Sequence, residues 1–172
     1  MRLCIGSGKR DFGNEWEHID GENFPHIKSH DITKLPYEDN SVDLIYSSHT
    51  LEYFDREEVI EVLKEWIRVL KPEGELFLSV PDFGAMTSFY HYNGIPLHKF
   101  LGPLYGKMKM GEKTIYHKTV YDYASLGELL RFIGFRRIDL WEHKELDFET
   151  HDDCSNAMIR GDLISLNIKC IK

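Results

Sequence analysis

Short apolar segments that each end at a turn recur along the first half of this chain, and they constrain its fold more than any other feature. Strand patterns occupy residues 3–5, 17–20, 26–31, 42–48 and 75–80. Before the last of these, Asp55 and Glu58 form a capping box that opens a helix pattern, which Pro72 and Gly74 end. Strands that alternate with connections in this way predict an α/β fold with a mainly parallel sheet and crossover units.

The second half of the chain adds two strands, one helix and an irregular insertion. Residues 123–133 carry a helical apolar stripe that Gly134 ends, and residues 135–141 and 163–171 have strand patterns. The alternation in 163–171 is typical of a half-exposed strand, and residues 142–160 are predicted to be loop. Residues 83–118 hold scattered aromatic side chains without a sustained period. The length of 172 residues, without linker or repeat, predicts one domain with a lid-like insertion at about 83–118.

Composition excludes several classes of protein. The net charge is −8 at pH 7, and an acidic surface repels phosphate backbones, which disfavours a nucleic-acid partner. No apolar run approaches the roughly 20 residues of a membrane helix, so no membrane association is expected. The three cysteines are widely separated and odd in number, which suits a reducing compartment. We therefore expect a cytoplasmic enzyme or binding domain that acts on a small molecule.

A glycine pair follows the first strand, at the position where nucleotide-binding folds place their ligand. Gly6 and Gly8 would let a ligand approach the backbone, and Asp20, at the end of the second strand, would accept hydrogen bonds from ribose hydroxyls. Asp20 follows Gly8 by 12 residues, whereas dinucleotide folds leave about 20. The first crossover helix is therefore expected to be vestigial, which favours a nucleoside without phosphates over a dinucleotide. An ordinary turn is the alternative interpretation of the glycine pair.

Several motifs, in order, resemble those of class I S-adenosylmethionine-dependent methyltransferases, and more narrowly the methyltransferase type 11 group. They are Ile5-Gly6-Ser7-Gly8, Ile19-Asp20, Asp31-Ile32, Leu35-Pro36-Tyr37, Ser41-Val42-Asp43-Leu44-Ile45-Tyr46, His49-Thr50-Leu51-Glu52-Tyr53 and the run from Arg68 through Lys71-Pro72-Glu73-Gly74 to Leu76. The resemblance covers residues 3–82 and, more loosely, 117–172. It implies a Rossmann-like methyltransferase fold: a seven-stranded, mainly parallel sheet whose last strand is antiparallel.

The resemblance also implies a set of cofactor-binding positions at the carboxyl ends of the first four strands: Gly6, Ser7, Gly8, Asp20, Asp31, Ile32, Ser48 and His49. The glycine turn would line the methionine end of S-adenosylmethionine, and Asp20 would bind the ribose. Asp31 and the Ile32 backbone would meet the adenine, while Ser48 would face the amino-acid portion, with His49 beside it. Two residues depart from the family pattern. Cys4 replaces its common acid, and Arg10 replaces the third glycine of its loop.

Three residues are candidates for a catalytic role, because removal of a proton from an oxygen or nitrogen acceptor suits a histidine or a carboxylate. They are His49 after the fourth strand, Asp82 after the fifth, and His117 before the late helix. Each has a structural alternative: a polar residue that leads a helix, a turn cap and a surface residue, respectively. No metal site is predicted, because neither His26 with His30 nor residues 151–154 offers a four-ligand set.

Lysines are concentrated in the insertion, against the acidic balance of the whole chain: Lys99, Lys107, Lys109, Lys113 and Lys118. We interpret this segment as a lid that admits an anionic or sugar-like small molecule. A solvated loop, or a contact within a homodimer, is the alternative. The favoured function is methyl transfer from S-adenosylmethionine to a small-molecule acceptor. A non-catalytic S-adenosylmethionine-binding or regulatory subunit is the first alternative, and a dinucleotide-dependent dehydrogenase is the second.

Overall fold

Seven strands form one mixed sheet in the computed structural model, which describes residues 1–146 and 153–172. The strands are β1 (Arg2–Ile5), β2 (Trp16–Ile19), β3 (Ile27–Ser29), β4 (Val42–Ser48), β5 (Leu70–Pro81), β8 (Arg136–Leu140) and β11 (Ser165–Ile171). Their order is β3-β2-β1-β4-β5-β11-β8, and only β11 runs antiparallel to its neighbours. The predicted α/β fold, with a parallel sheet and an antiparallel last strand, is confirmed.

Two helices, α1 (Glu58–Val69) and α4 (Tyr123–Ile133), pack on one face of this sheet. Their apolar stripes join the buried side of β1 and β4 in a single core, as the helical spacing predicts. The reciprocal capping bonds form before α1, since Asp55 Oδ1 accepts from Glu58 N (2.9 Å) and Glu58 Oε2 from Asp55 N (3.0 Å). The helix itself begins at Glu58. Gly134 ends α4 with a φ of +118°, a conformation that suits glycine.

The turn predicted after α1 lies within a strand. β5 begins at Leu70 and pairs there with Val42, but the next pair joins Leu44 to Glu75. The extra residues of β5 form a bulge, in which Glu73 has a φ of +62°. The proline–glycine segment therefore ends the helix as expected, and it shifts the register of β5 without separating it from the sheet.

Aromatic side chains cover the opposite face of the sheet. Trp16, Tyr46, Phe77 and Trp141 form a second buried cluster, which Phe12 joins, and in the described part of the chain no α-helix contributes to it. The connection from β1 to β2 contains turns but no helix, as the short spacing predicts. This side of the sheet is thus closed by side chains and loops where doubly wound folds place helices.

The expectation of a half-exposed last strand was wrong. β11 lies between β5 and β8, and its polar side chains Ser165 and Asn167 are buried with its apolar ones. The short 3₁₀ helix Cys154–Asn156 covers this side, and Asn167 Nδ2 donates a 2.9 Å hydrogen bond to the carbonyl of Ser155. The alternation in β11 therefore does not indicate an exposed face. It arises because polar backbone covers the polar face of the strand, and both faces are buried.

The insertion is ordered. It contains α2 (Phe83–Tyr92), α3 (Leu101–Tyr105) and a hairpin of β6 (Met108–Met110) and β7 (Lys113–Ile115). A small core of Met86, Ile95, Phe100 and Ile164 ties it to the start of β11.

The segment predicted as loop, residues 142–160, holds two short 3₁₀ helices and the strand β9 (Met158–Ile159), which pairs with β10 (Asp162–Leu163). Residues 147–152, including His151 of the rejected metal set, lie outside the described residues. The three cysteines are free thiols. None of the described helices combines the length and the apolar character that crossing a membrane requires.

Candidate functional site

The turn after β1 requires a glycine at its first position, Gly6, because a side chain there would be excluded. Gly6 has a φ of +77°, and a Cβ added there would lie 1.9 Å from Thr50 Oγ1. Gly8 has a φ of +57°, and a Cβ there would meet nothing within 4 Å. The turn therefore packs tightly against the end of β4 at Gly6 and is open at Gly8. That open backbone is the feature a ligand needs for close approach.

Asp20 ties this turn to the end of β2. Its Oδ2 accepts a 2.7 Å hydrogen bond from Gly8 N, and its Oδ1 accepts one of 2.8 Å from Glu22 N. Each carboxylate oxygen can accept a second hydrogen bond, so the group still has acceptor capacity for a pair of hydroxyls. Gly8, which the resemblance assigns to the methionine end of the cofactor, and Asp20, which it assigns to the ribose, are thus in direct contact.

Asp31 and Ile32 follow β3 at the same edge of the sheet. Asp31 Oδ1 accepts from the Thr33 hydroxyl (2.6 Å) and from Thr33 N (2.9 Å), and these bonds, the hydroxyl's first, hold its pKa below the ordinary value. Its Oδ2 accepts no hydrogen bond from the described residues. The Ile32 carbonyl accepts from Trp66 Nε1 at 3.0 Å, which fixes this turn to α1.

A narrow cleft lies above the glycine turn. It is lined by Cys4, Gly6, Ser7, Arg10, Phe12, Tyr46, Ser48 and Asp153. Its empty space is about 190 Å³, part of it open to solvent. The hydroxyl oxygens of Ser7 and Ser48 are buried and have no hydrogen-bond partner in the described part of the chain. Buried hydroxyls without partners are unusual in folded proteins, and they mark this cleft as a place where a polar ligand would satisfy them.

Beside the cleft, a buried carboxyl group lies between two histidines. Glu52 is fully buried, and its Oε1 lies 3.6 Å from His49 Nδ1 and 3.6 Å from His117 Nε2. Neither oxygen of Glu52 has a hydrogen-bond partner among the described residues. The second ring nitrogen of each histidine forms a hydrogen bond. His49 Nε2 bonds with the Ser165 hydroxyl (2.9 Å), and His117 Nδ1 bonds with the carbonyl of Pro103 (2.9 Å). The cluster joins β4, the insertion and β11.

Burial sets the protonation of this cluster. Loss of hydration raises the pKa of Glu52 to about 8 and lowers the pKa of His49 to about 4, and it also lowers the pKa of His117. At neutral pH the carboxyl group is therefore protonated, and both imidazoles are neutral. His49 is also held in the left-handed region, with a φ of +51°, a conformation that is uncommon outside glycine and occurs often at functional sites.

The three predicted catalytic candidates have different surroundings. His49 and His117 are brought together around Glu52, and His117 is buried, in contrast to its alternative interpretation as a surface residue. Asp82 is the N-cap of α2, where its Oδ1 accepts a 3.0 Å hydrogen bond from Ala85 N. Its turn-cap role is thus present in the fold. In the described residues no group of three or more histidine, cysteine or acidic side chains is arranged to bind a metal.

The insertion contacts the loop that follows β2. A Cβ added at Gly21 would lie 2.9 Å from Cε of Met110, at the tip of the β6–β7 hairpin. Beside it, Gly111 N donates a 2.5 Å hydrogen bond to Glu22 Oε1. The same insertion carries His117 to Glu52, and the backbone carbonyl of Glu52 accepts from Lys118 N at 2.8 Å. One segment therefore contacts both the loop after β2 and the histidine cluster.

Sequence reasoning missed three residues of this site: Glu52, Tyr46 and Asp153. Glu52 lies inside an apolar stretch that includes Leu51, Tyr53 and Phe54, a signal of burial that the motif itself contained. Asp153 reaches the cleft from beyond β8, and its carboxylate accepts a hydrogen bond from the Tyr46 hydroxyl. Tyr46 and Asp153 are 107 positions apart in the sequence, and no local sequence pattern predicts a contact over that separation.

Comparisons with known proteins identify the fold and a family similarity. Residues 10–78 match a family model described as a methyltransferase domain. This match covers less than half of the chain, and similar solved structures show that the whole chain has the class I methyltransferase fold. A S-adenosylmethionine-dependent methyltransferase from Archaeoglobus fulgidus is similar over 99% of this chain and 85% of its own, with 15% identity and a TM-score of 0.60. Another from Methanosarcina mazei is 18% identical, with 99% and 91% of the two chains covered and a TM-score of 0.59.

A third methyltransferase structure contains ligands. The 1,6-didemethyltoxoflavin-N1-methyltransferase of Burkholderia thailandensis was solved with 1,6-didemethyltoxoflavin and S-adenosylhomocysteine bound. It is 14% identical, with 99% of this chain and 70% of that chain covered and a TM-score of 0.59. No curated protein matches the sequence. The resemblance to class I S-adenosylmethionine-dependent methyltransferases is confirmed, and S-adenosylmethionine is the cofactor that goes with this fold and family.

Proposed function

We propose that this protein transfers a methyl group from S-adenosylmethionine to a protic small-molecule acceptor, with His49 as the base. One observation carries the proposal. The neutral imidazole of His49 directly follows Ser48, which lines the cleft above the glycine turn, and it is backed by the buried carboxyl of Glu52. A neutral imidazole near the cofactor cleft can accept the proton of an oxygen or nitrogen acceptor.

The residues at the carboxyl edge fit the cofactor. When bound, S-adenosylmethionine supplies a methyl group that is already activated. Asp20 would accept from the ribose hydroxyls with the capacity left on its two oxygens, and Oδ2 of Asp31 would accept from the adenine amino group. The Ser7 and Ser48 hydroxyls would gain partners at the methionine end. These residues act by position, since alignment of the acceptor with the methyl group supplies most of the rate gain.

His49 would take the proton from the acceptor at Nε2. That nitrogen already lies 2.9 Å from the hydroxyl of Ser165, which is the distance an acceptor hydroxyl would adopt. On the other side of the ring, Nδ1 faces the carboxyl group of Glu52 at 3.6 Å, a distance too long for a hydrogen bond. The strained backbone of His49 places the imidazole at the end of β4.

The acceptor we propose is anionic or sugar-like. Lys107, Lys109 and Lys113 are exposed on or beside the β6–β7 hairpin, whose tip contacts the loop after β2. Their charge would attract an anion to an otherwise acidic protein. The hairpin would cover the acceptor once it is bound, which would exclude water from the reacting groups.

The experiment has two stages. Calorimetry with S-adenosylhomocysteine tests the cofactor site, and transfer of a labelled methyl group to hydroxyl and amine acceptors then tests the activity. We expect His49→Asn to abolish transfer while S-adenosylhomocysteine still binds, whereas His98→Asn, an exposed histidine of the insertion, serves as the matched control. Binding without transfer to any acceptor would favour the non-catalytic subunit. Binding of NAD in place of S-adenosylhomocysteine would contradict the proposal altogether.

A further inference from the structure

Two opposite charges line the cleft above the glycine turn, and no sequence pattern indicated the second, Asp153, at this place. Arg10 belongs to the turn after β1, where the family pattern has a glycine. Asp153 comes from the segment after β8 and faces the same cleft. The cleft therefore holds a guanidinium, a carboxylate and the unpartnered hydroxyls of Ser7 and Ser48.

The carboxylate of Asp153 is buried and has no cationic partner among the described residues. It is 6% exposed, and its Oδ1 accepts from the Ser155 backbone (2.8 Å) and hydroxyl (2.6 Å), while Oδ2 accepts from the Tyr46 hydroxyl. All three donors are neutral. Within residues 1–146 and 153–172 no cationic side chain forms an ion pair with it. A buried carboxylate held by neutral donors has acceptor capacity left for a positively charged group.

Arg10 is the complementary charge. The arginine ion pairs in the described part of the chain involve Arg2, Arg68, Arg136 and Arg137, so Arg10 has none. Its guanidinium lies beside the thiol of Cys154, next to Asp153 in the chain. A half-buried guanidinium keeps its planar set of donors available, and these match a carboxylate in two-point geometry.

We propose that Arg10 and Asp153 together bind the α-amino-acid end of the cofactor, Arg10 its carboxylate and Asp153 its ammonium group. This inference rests on the proposed function. Asp153 thereby replaces the acid that the family carries at the position of Cys4. Ser7 and Ser48 complete the site, because each would gain the hydrogen-bond partner it lacks.

The size of the cleft sets one condition. Its empty space is about 190 Å³, part of it open to solvent, and Arg10 is one of the residues that line it. We expect the Arg10 side chain to move away from Cys154 when the methionine end binds. Arg10 is free to do so because it is half-buried and belongs to a loop, whereas Asp153 is held by three hydrogen bonds. The fixed partner is the carboxylate, and the mobile partner is the guanidinium.

The test compares ligands that differ only at the amino-acid end. Calorimetry would measure S-adenosylhomocysteine, its decarboxylated form, which keeps the ammonium group, and methylthioadenosine, which lacks both charges. In Asp153→Asn we expect S-adenosylhomocysteine and its decarboxylated form to bind about tenfold more weakly or worse. In Arg10→Met only S-adenosylhomocysteine should weaken. Methylthioadenosine should bind both variants as it binds the unaltered protein.

Lys9→Met and Asp162→Asn, both exposed positions, are the charge-matched controls. Unchanged affinity for S-adenosylhomocysteine in Arg10→Met and Asp153→Asn would overturn this inference and leave the proposed function standing. Equal weakening of all three ligands would also overturn it, since it would indicate damage to the fold. If the unaltered protein binds none of the three nucleosides, the proposed function fails and this inference with it.

Discussion

Replacement of Glu52 by glutamine should change how the stability of this protein depends on pH. The pKa of Glu52 is about 8 in the fold, against an ordinary value of 4.5, so between these pH values the folded state binds a proton that the unfolded state does not. Stability therefore falls as pH rises through this window, by about 1.4 kcal/mol per pH unit in its middle. Between pH 6.5 and 8 the loss attributable to Glu52 is about 1.5 kcal/mol.

His49 acts with the opposite sign at lower pH. Its pKa is about 4 in the fold, against an ordinary 6.5, so acidification through this range protonates the unfolded state first and costs stability. The contributions of His49 and Glu52 nearly cancel between about pH 4.5 and 6.5. Without the carboxyl group, the stability of Glu52→Gln should not change between pH 6.5 and 8. Below pH 6.5 it should fall, whereas the stability of the unaltered protein should stay nearly constant there.

Urea unfolding at half-unit intervals from pH 5 to 8.5 would measure both slopes. Glu57→Gln, an exposed change close by in sequence, is the control and should follow the unaltered protein. A flat profile for the unaltered protein above pH 6.5 would show that Glu52 is ionised at neutral pH in the fold. Parallel profiles for Glu52→Gln and the unaltered protein would refute the assignment of the slope to this residue.

Three further changes test the framework of the site. Gly6→Ala should destabilise the fold by about 3 kcal/mol or more in chemical denaturation, because a Cβ 1.9 Å from Thr50 Oγ1 adds overlap to an unfavourable φ; a smaller loss would mean that the turn relaxes. Asp122→Ala should cost about 1 kcal/mol through loss of the capping box with Ser125, measured in the same way. The double change Lys107→Glu with Lys109→Glu should raise KM for an anionic acceptor severalfold with little change in stability, and unchanged kinetics would remove the lid hypothesis.

The fold was predictable because its determinants are local. Strand segments, the capping box at Asp55 and the stop at Gly134 are each written in fewer than a dozen consecutive residues, and their alternation allows few topologies. The part that failed was the environment of β11. Its Ser165 and Asn167 suggested exposure, but the 3₁₀ helix Cys154–Asn156 covers them, and no rule of alternation encodes a cover from another segment.

Like the fold, the site could be predicted only where its contacts join residues that are close in sequence. Gly8 and Asp20 are 12 residues apart and touch, as the motif order implies. Glu52 and His117 are separated by most of the insertion, and their contact depends on how the chain returns after α3. The protonation of Glu52 follows from that return, since burial by other segments raises its pKa. Tertiary packing therefore decides the chemistry of a residue whose place in a motif was visible from the start.

The aromatic cover on one face of the sheet surrounds the position of Cys4 and contacts Asp153. One face of the sheet is closed by Trp16, Tyr46, Phe77 and Trp141, so Cys4 is buried among apolar and aromatic side chains. A carboxylate at position 4 would lose its hydration there, at a cost of several kcal/mol. The chain instead brings its acid from beyond β8, where Trp141 anchors the crossing and Tyr46 and Ser155 supply hydrogen bonds. In the proposed cofactor site, the aromatic side chains that bury Cys4 thus also help to position Asp153.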